Sequence, residues 1–283
     1  MKRIYEEKGV EIFLINAGNF RLDGGAMFGV VPKVIWSKLI DVNEKNQIPL
    51  STNVMVIKFI DKGKTLLVET GNGNKFNEKF RKIYDIENSD VENSLIENGI
   101  DPNEITHVVL THLHFDHSGG ATKLVEGKVV PTFKNAKYFV QKKEWYEATH
   151  PNERNRASYI PENFLPLKEH GQLELIEGEV EILPGVKLIP TPGHTLGHQS
   201  ILVEVDGENF FYCGDLIPTS RHVPIPFIMA YDLYPVSIIE TKRKILEKGV
   251  NENWTFIFEH DPDTPVGKVE VDERGKFKFI PLE

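Results

Sequence analysis

The sequence predicts an α/β protein whose sheets are covered by helices, and three observations carry that prediction. Short runs rich in β-branched and aromatic residues recur along the chain, the helical patterns are few and fall between them, and turn signals separate the runs. The strand runs are residues 11–16, 54–60, 65–70, 106–111, 137–141, 187–191, 199–205, 209–214 and 254–259. The turn signals are "DKGK", "EVDGEN" and "DERGK".

The helical patterns each carry a start or stop signal. Ser89 followed by Glu92 reads as a capping box that opens a helix ending at Gly99. Pro235 suits the first turn of a helix that stops at Gly249, with Ile238, Ile239, Ile245 and Leu246 on one face. Residues 142–150 form a shorter candidate. No repeat, low-complexity linker or break in composition marks a boundary, so residues 1–283 are expected to form one domain.

Composition narrows the class. With 40% hydrophobic and 27% charged residues the chain is of ordinary globular type. Its start contains Glu6, Glu7 and Glu11 and no apolar run, unlike a secretory signal. The apolar runs fall far short of the ~20 residues that cross a bilayer. A single cysteine, Cys213, cannot form an internal disulfide. A cytoplasmic protein without membrane attachment is expected. The formal net charge of −9, with its cations scattered among acids, argues against a nucleic-acid partner. A small-molecule substrate is expected instead, and a homodimer is compatible with everything above.

The stretch "THLHFDHSGG", residues 111–120, holds three of the ten histidines and an aspartate. His112 and His114 lie two apart at the end of a strand run, where extended backbone points them the same way. Asp116 and His117 follow on a turn and can aim elsewhere, and Gly119 and Gly120 let the chain turn away. Imidazole and carboxylate are good ligands for zinc and its neighbours. Three further candidates stand at strand ends: His194 in "TPGHT", Asp215 in "CGDL" and His260 in "FEHD". Together they make the set that a two-metal site requires.

These motifs, in kind and order, resemble the metallo-β-lactamase superfamily of metal-dependent hydrolases. The resemblance implies a four-layer αββα sandwich, two mixed sheets face to face with helices outside and metals at one edge. It implies that His112, His114 and His194 hold one metal, that Asp116, His117 and His260 hold a second, and that Asp215 bridges both together with a water or hydroxide. Two divalent ions are expected, zinc first, with iron, manganese or cobalt also accepted by such ligands. The bridging hydroxide is the implied nucleophile, and Asp116 is placed to shuttle the proton to the leaving group.

The other polar residues near these motifs receive different expectations. His198 is read as a polar residue behind the ligands and Cys213 as a small buried strand residue. Glu69 stands where the superfamily usually has the aspartate of "DTG", and it could still orient a ligand. Residues 21–36 and 217–235 are expected to form facing apolar walls of a substrate pocket, with Met27, Phe28 and His222 as candidate substrate contacts.

Within the superfamily the motifs are most similar to those of N-acyl-homoserine-lactone lactonases. His114 stands where diiron reductases carry glutamate. The 23 residues after His260 leave little room for a glutathione-binding part. Lactonases of this kind usually have a tyrosine three residues after the bridging aspartate. Here that position is Pro218, and Tyr231 or Tyr234 are the candidates to replace it in space. The expected activity is hydrolysis of a neutral lactone or carboxylic ester. The alternatives are a phosphotriester or thioester hydrolase of the glyoxalase II kind, or an iron-dependent oxygenase on the same fold.

Overall fold

The computed structural model describes residues Met1–Leu282. The chain divides into two compact units. The first comprises Met1–Phe20 and Thr52–Glu177, the second Arg21–Ser51 and the chain from Gly178 on.

The first unit holds most of a seven-stranded mixed sheet. The sheet's strands are β1 (Lys2–Glu7), β2 (Val10–Asp23), β3 (Gln47–Phe59), β4 (Lys64–Val68), β5 (Ile105–Val109), β8 (Lys137–Gln141) and β9 (Leu173–Ile176), in that spatial order. Of these, β2 runs on past Phe20 and β3 begins before Thr52. A separate hairpin, β6 (Thr122–Val125) and β7 (Lys128–Pro131), follows the histidine stretch. β4, β5, β8 and β9 run parallel, so their carboxyl ends share one edge. β4 is buried from Thr65 to Val68, and β5 is buried at Ile105, Val108 and Val109, as interior parallel strands are. Helix Val91–Glu97 contributes Val91 and Leu95 to the core, where they join Val108, Leu110, Leu113 and Tyr138. Its N-cap is Asp90, whose side chain accepts from the Asn93 N–H, so the helix starts one residue past the expected Ser89 cap.

The second unit carries the other mixed sheet, ordered β10 (Val180–Leu183), β11 (Val186–Pro190), β12 (Gln199–Val205), β13 (Glu208–Tyr212), β14 (Thr255–Ile257), β15 (Val266–Val271) and β16 (Phe277–Pro281). All neighbours are antiparallel except β13 and β14. The connection between these two contains the long helix Pro235–Asn251, with Pro235 in its first turn as expected. Ile238, Ile245 and Leu246 of that helix are buried with Leu202, Phe211 and Phe256, each contributing roughly 1.5–3 kcal/mol of burial. Residues 21–36, expected as a wall segment, form two short helices, Gly24–Phe28 and Lys33–Trp36. Among the described residues no helix is long and apolar enough to cross a membrane.

Candidate metal centre

In the first unit, parallel pairing places the histidine stretch. β4 and β5 pair in register at Val68 and Val109, and both chains leave the sheet at the same edge. Glu69 begins one exit and Leu110 the other, and the N–H of the next residue, Thr111, donates to Glu69 Oε1 at 2.6 Å. Glu69 adopts a left-handed φ of 68°, a strained conformation for a residue with a side chain. Its Oε2 lies 3.7 Å from His117 Nδ1. Glutamate in place of the usual aspartate therefore still faces the histidine stretch.

The next residues are crowded and buried. His114 occupies the N-cap position of a single helical turn, Phe115–Ser118, so Asp116 and His117 lie within that turn as expected. The His112 ring stands 4.5 Å from that of His114 and 3.9 Å from that of His117, centroid to centroid. His117 Nε2 lies 3.8 Å from Asp116 Oδ1. Three imidazoles packed this closely make a cluster of donor nitrogens of the kind that holds a metal ion. The turn is held from behind by Thr70, whose N–H and hydroxyl both donate to the His117 carbonyl.

Gly119 follows, and its need is for space rather than for an unusual φ. A Cβ there would lie 1.9 Å from the Asn72 carbonyl oxygen, while its φ is an ordinary −58°.

In the second unit, Asp215 and His260 owe their meeting to the one parallel pair of that sheet. Tyr212 of β13 is in register with Ile257 of β14, and each candidate comes three residues later. Asp215 Oδ1 lies 3.2 Å from His260 Nε2, and Asp215 Oδ2 lies 3.1 Å from His194 Nε2. One carboxylate thus addresses two imidazoles, one with each oxygen.

The far nitrogens of both rings are committed. His260 Nδ1 donates to the Ser51 carbonyl at 2.8 Å, and His194 Nδ1 lies 2.9 Å from Asp232 Oδ1. Both partners accept, so each Nδ1 carries a hydrogen and each Nε2 is left facing Asp215. Imidazole nitrogen against carboxylate at these distances calls for positive charge, either a proton or a metal ion. The donor set of two imidazoles and a carboxylate is of the kind that holds a transition-metal ion. His198 stands behind, where its Nε2 accepts from the Asp215 N–H at 3.0 Å and its Nδ1 faces the Thr191 hydroxyl at 2.8 Å. Cys213 is buried in the core of this unit, and burial pushes its thiol well up.

The proposed substrate contacts Met27, Phe28 and His222 pack with one another in this unit. Phe28 is stacked between Trp36, at 5.3 Å, and His222, at 4.6 Å, with Phe227 edge-on. His222 Nε2 donates to the Met27 carbonyl at 2.9 Å, and its Nδ1 accepts from the Thr219 hydroxyl at 2.8 Å. Burial pulls His222 down to about 4, so the ring is neutral. Lys242, fully buried and pulled down to about 7 by that burial, donates to the carbonyls of Pro224 and Phe227 and ties down the same segment. Tyr231 and Tyr234 remain partly exposed.

Two features escaped the sequence reading. Asp232 is one: its Oδ1 holds His194 while its Oδ2 accepts from the Met229 N–H at 2.8 Å. No local pattern marks a carboxylate 38 residues from its histidine. The other is an aromatic cluster in the first unit, where Phe76, Phe80 and Tyr84 gather around Phe115 with centroids 5.0–6.5 Å away. The four-residue spacing of these aromatics on helix Glu78–Tyr84 and just before it was the available signal.

The chain matches the family model of the metallo-beta-lactamase superfamily over residues 48–260. Over 94 residues it is 39% identical to the N-acyl homoserine lactonase AiiA of Bacillus thuringiensis subsp. kurstaki, a match that spans 33% of this chain and 31% of that relative. Among solved structures, a probable metal-dependent hydrolase from Staphylococcus aureus is 33% identical, with 99% of both chains covered and a TM-score of 0.89. A variant of B. thuringiensis AiiA, solved with N-decanoyl-L-homoserine at its active site, is 25% identical, with 89% and 93% coverage and a TM-score of 0.67. On these matches the chain belongs to the metallo-β-lactamase superfamily and has its sheet-rich, layered α/β fold.

Proposed function

We propose that the chain is a dinuclear metal-dependent hydrolase acting on a neutral lactone or carboxylic ester. One observation carries the reading: Asp215 presents one oxygen to His194 and the other to His260, with both imidazoles fixed in the tautomer that offers Nε2. In this reading His112, His114 and His194 would hold one ion, Asp116, His117 and His260 the other, and Asp215 would serve both. Zinc is the metal proposed. The family match runs through both compact units, which supports one catalytic domain.

Two divalent ions would supply a hydroxide at neutral pH and positive charge for a developing oxyanion. The chain's own residues do the rest. Asp232 and Ser51 keep His194 and His260 aimed, and His198 fixes the peptide that carries Asp215. Asp116, close to His117 and 7% exposed, passes the proton to the leaving alkoxide.

The substrate class rests on the residues next to the ligands. Phe115 sits between His114 and Asp116, and its aromatic neighbours offer an apolar surface. Such a surface favours acyl, alkyl or aryl groups over polyanions, whose burial without partners is costly. The relative solved with N-decanoyl-L-homoserine at its active site supports an acyl lactone as the first compound to try.

Elemental analysis after saturation with zinc, cobalt or manganese should give two ions per chain. A kinetic panel should rank neutral lactones and aryl esters above S-lactoylglutathione and phosphodiesters in kcat/KM. No more than one ion per chain overturns the dinuclear reading. A preference for the thioester or phosphodiester overturns the substrate assignment. Oxygen consumption by the iron-loaded chain would favour the oxygenase alternative.

A further inference from the structure

Glu144 is an unexpected residue in the first unit. It lies in the first turn of helix Lys142–Thr149, where an acidic side chain is favoured by the helix dipole and can stay in water. Instead it is fully buried. A carboxylate withdrawn from water is costly unless hydrogen bonds compensate it. Glu144 Oε1 accepts from the Leu113 N–H at 2.9 Å and from the Tyr159 hydroxyl at 3.0 Å. Leu113 is the residue between His112 and His114, and its side chain is part of the core.

Tyr159 reaches the same place by a second route. Its backbone forms an isolated antiparallel bridge with His114, and the neighbouring Ser158 carbonyl accepts from the Phe115 N–H at 2.9 Å. Its ring, itself buried, lies 4.8 Å from the His114 imidazole at 58°. The peptide between the two histidines is therefore gripped through its N–H, and one of the two rings is packed against the residue that completes the grip. A carboxylate serving only the helix terminus would need neither the Leu113 bond nor the burial.

We infer that Glu144 and Tyr159 form a positioning pair that sets the orientation of His112 and His114 as metal ligands. The inference rests on the proposed reading of those histidines as ligands. Glu144 acts through the Leu113 peptide, whose N–H it holds. Tyr159 contributes its hydroxyl to the carboxylate and its ring to His114.

The test uses the full chain and reads metal binding rather than turnover. Affinities are measured by competition with a chromophoric chelator, and the cobalt-substituted protein reports ligand geometry through its visible d–d absorption. Glu144→Ala should weaken the binding of one ion by roughly 10–100-fold, the scale of losing an outer partner of a ligand, and should alter the cobalt spectrum. Glu144→Gln keeps an acceptor oxygen for the Leu113 N–H and should restore most of the affinity. Tyr159→Phe keeps the ring and should fall between them.

Wild-type affinity and cobalt spectrum in Glu144→Ala overturn the inference. If circular dichroism shows that Glu144→Ala does not fold, Tyr159→Phe decides, and a wild-type affinity and spectrum there overturn it equally. A wild-type chain that binds no metal instead overturns the ligand reading beneath it, so the two failures are distinguishable.

Discussion

His222 gives the sharpest quantitative expectation, because its protonation is coupled to folding. In the unfolded chain an imidazole titrates near 6.5, and in the folded chain burial pulls this one down to about 4. A depressed histidine means that the unfolded state binds the proton first. The full stability is therefore present above the unfolded value and is lost as pH falls through the window from 6.5 toward 4. The whole shift corresponds to about 3 kcal/mol, of which about 2 kcal/mol is lost between about pH 7.5 and about pH 5.

His222→Gln removes the titration while leaving an amide N–H that can reach the Met27 carbonyl. It also removes the stack on Phe28 and should cost about 1 kcal/mol at neutral pH. The cost should shrink, and even reverse, at acid pH, because only the wild type pays the linkage. Urea unfolding followed by circular dichroism, at several pH values and with metal removed by chelation, measures the difference between the two proteins. Other acid-sensitive groups act on both proteins and cancel. Parallel stability curves for wild type and variant between about pH 7.5 and about pH 5 would refute the argument, since they would mean that His222 is not held neutral by the fold.

Two further outcomes are expected. Asp215→Ala should release metal and cut turnover by orders of magnitude, while Cys213→Ala should leave both nearly unchanged; elemental analysis with ester kinetics reads the contrast. Gly119→Ala should destabilise the chain by about 1–3 kcal/mol or prevent folding, because the added Cβ meets backbone rather than a movable side chain, and urea titration measures the loss.

Much of this was legible in the sequence for a definite reason. Strands β8 and β12 were read to the residue, since each is a compact apolar run bounded by turn or charged residues. The ligand candidates stood out because histidine is scarce and each one follows an apolar run. What stayed hidden is long-range or locally weak. β1, β15 and β16 alternate charged and apolar residues too loosely to separate from surface loop. Helix Glu78–Tyr84 has no buried residue of its own, so no deep apolar face announced it. Asp232, Glu144 and Tyr159 act on histidines far from them in sequence, and no spacing rule links such pairs. Gly119 was expected for its backbone freedom, whereas the structure requires its missing side chain.

The shared three-residue step from Tyr212 to Asp215 and from Ile257 to His260 has a consequence for how such a chain can change over time. The ladder of backbone hydrogen bonds between β13 and β14 fixes where both exits begin. The distance between Asp215 and His260 is therefore indifferent to the length of chain that joins the strands. That chain carries the Pro224–Met229 segment and the long helix, anchored at its own points by Lys242 and Asp232. Insertions and replacements there can reshape that segment while Asp215 and His260 stay in register. An inserted residue inside either three-residue step has no such freedom, for it would swing one group out of reach of the other.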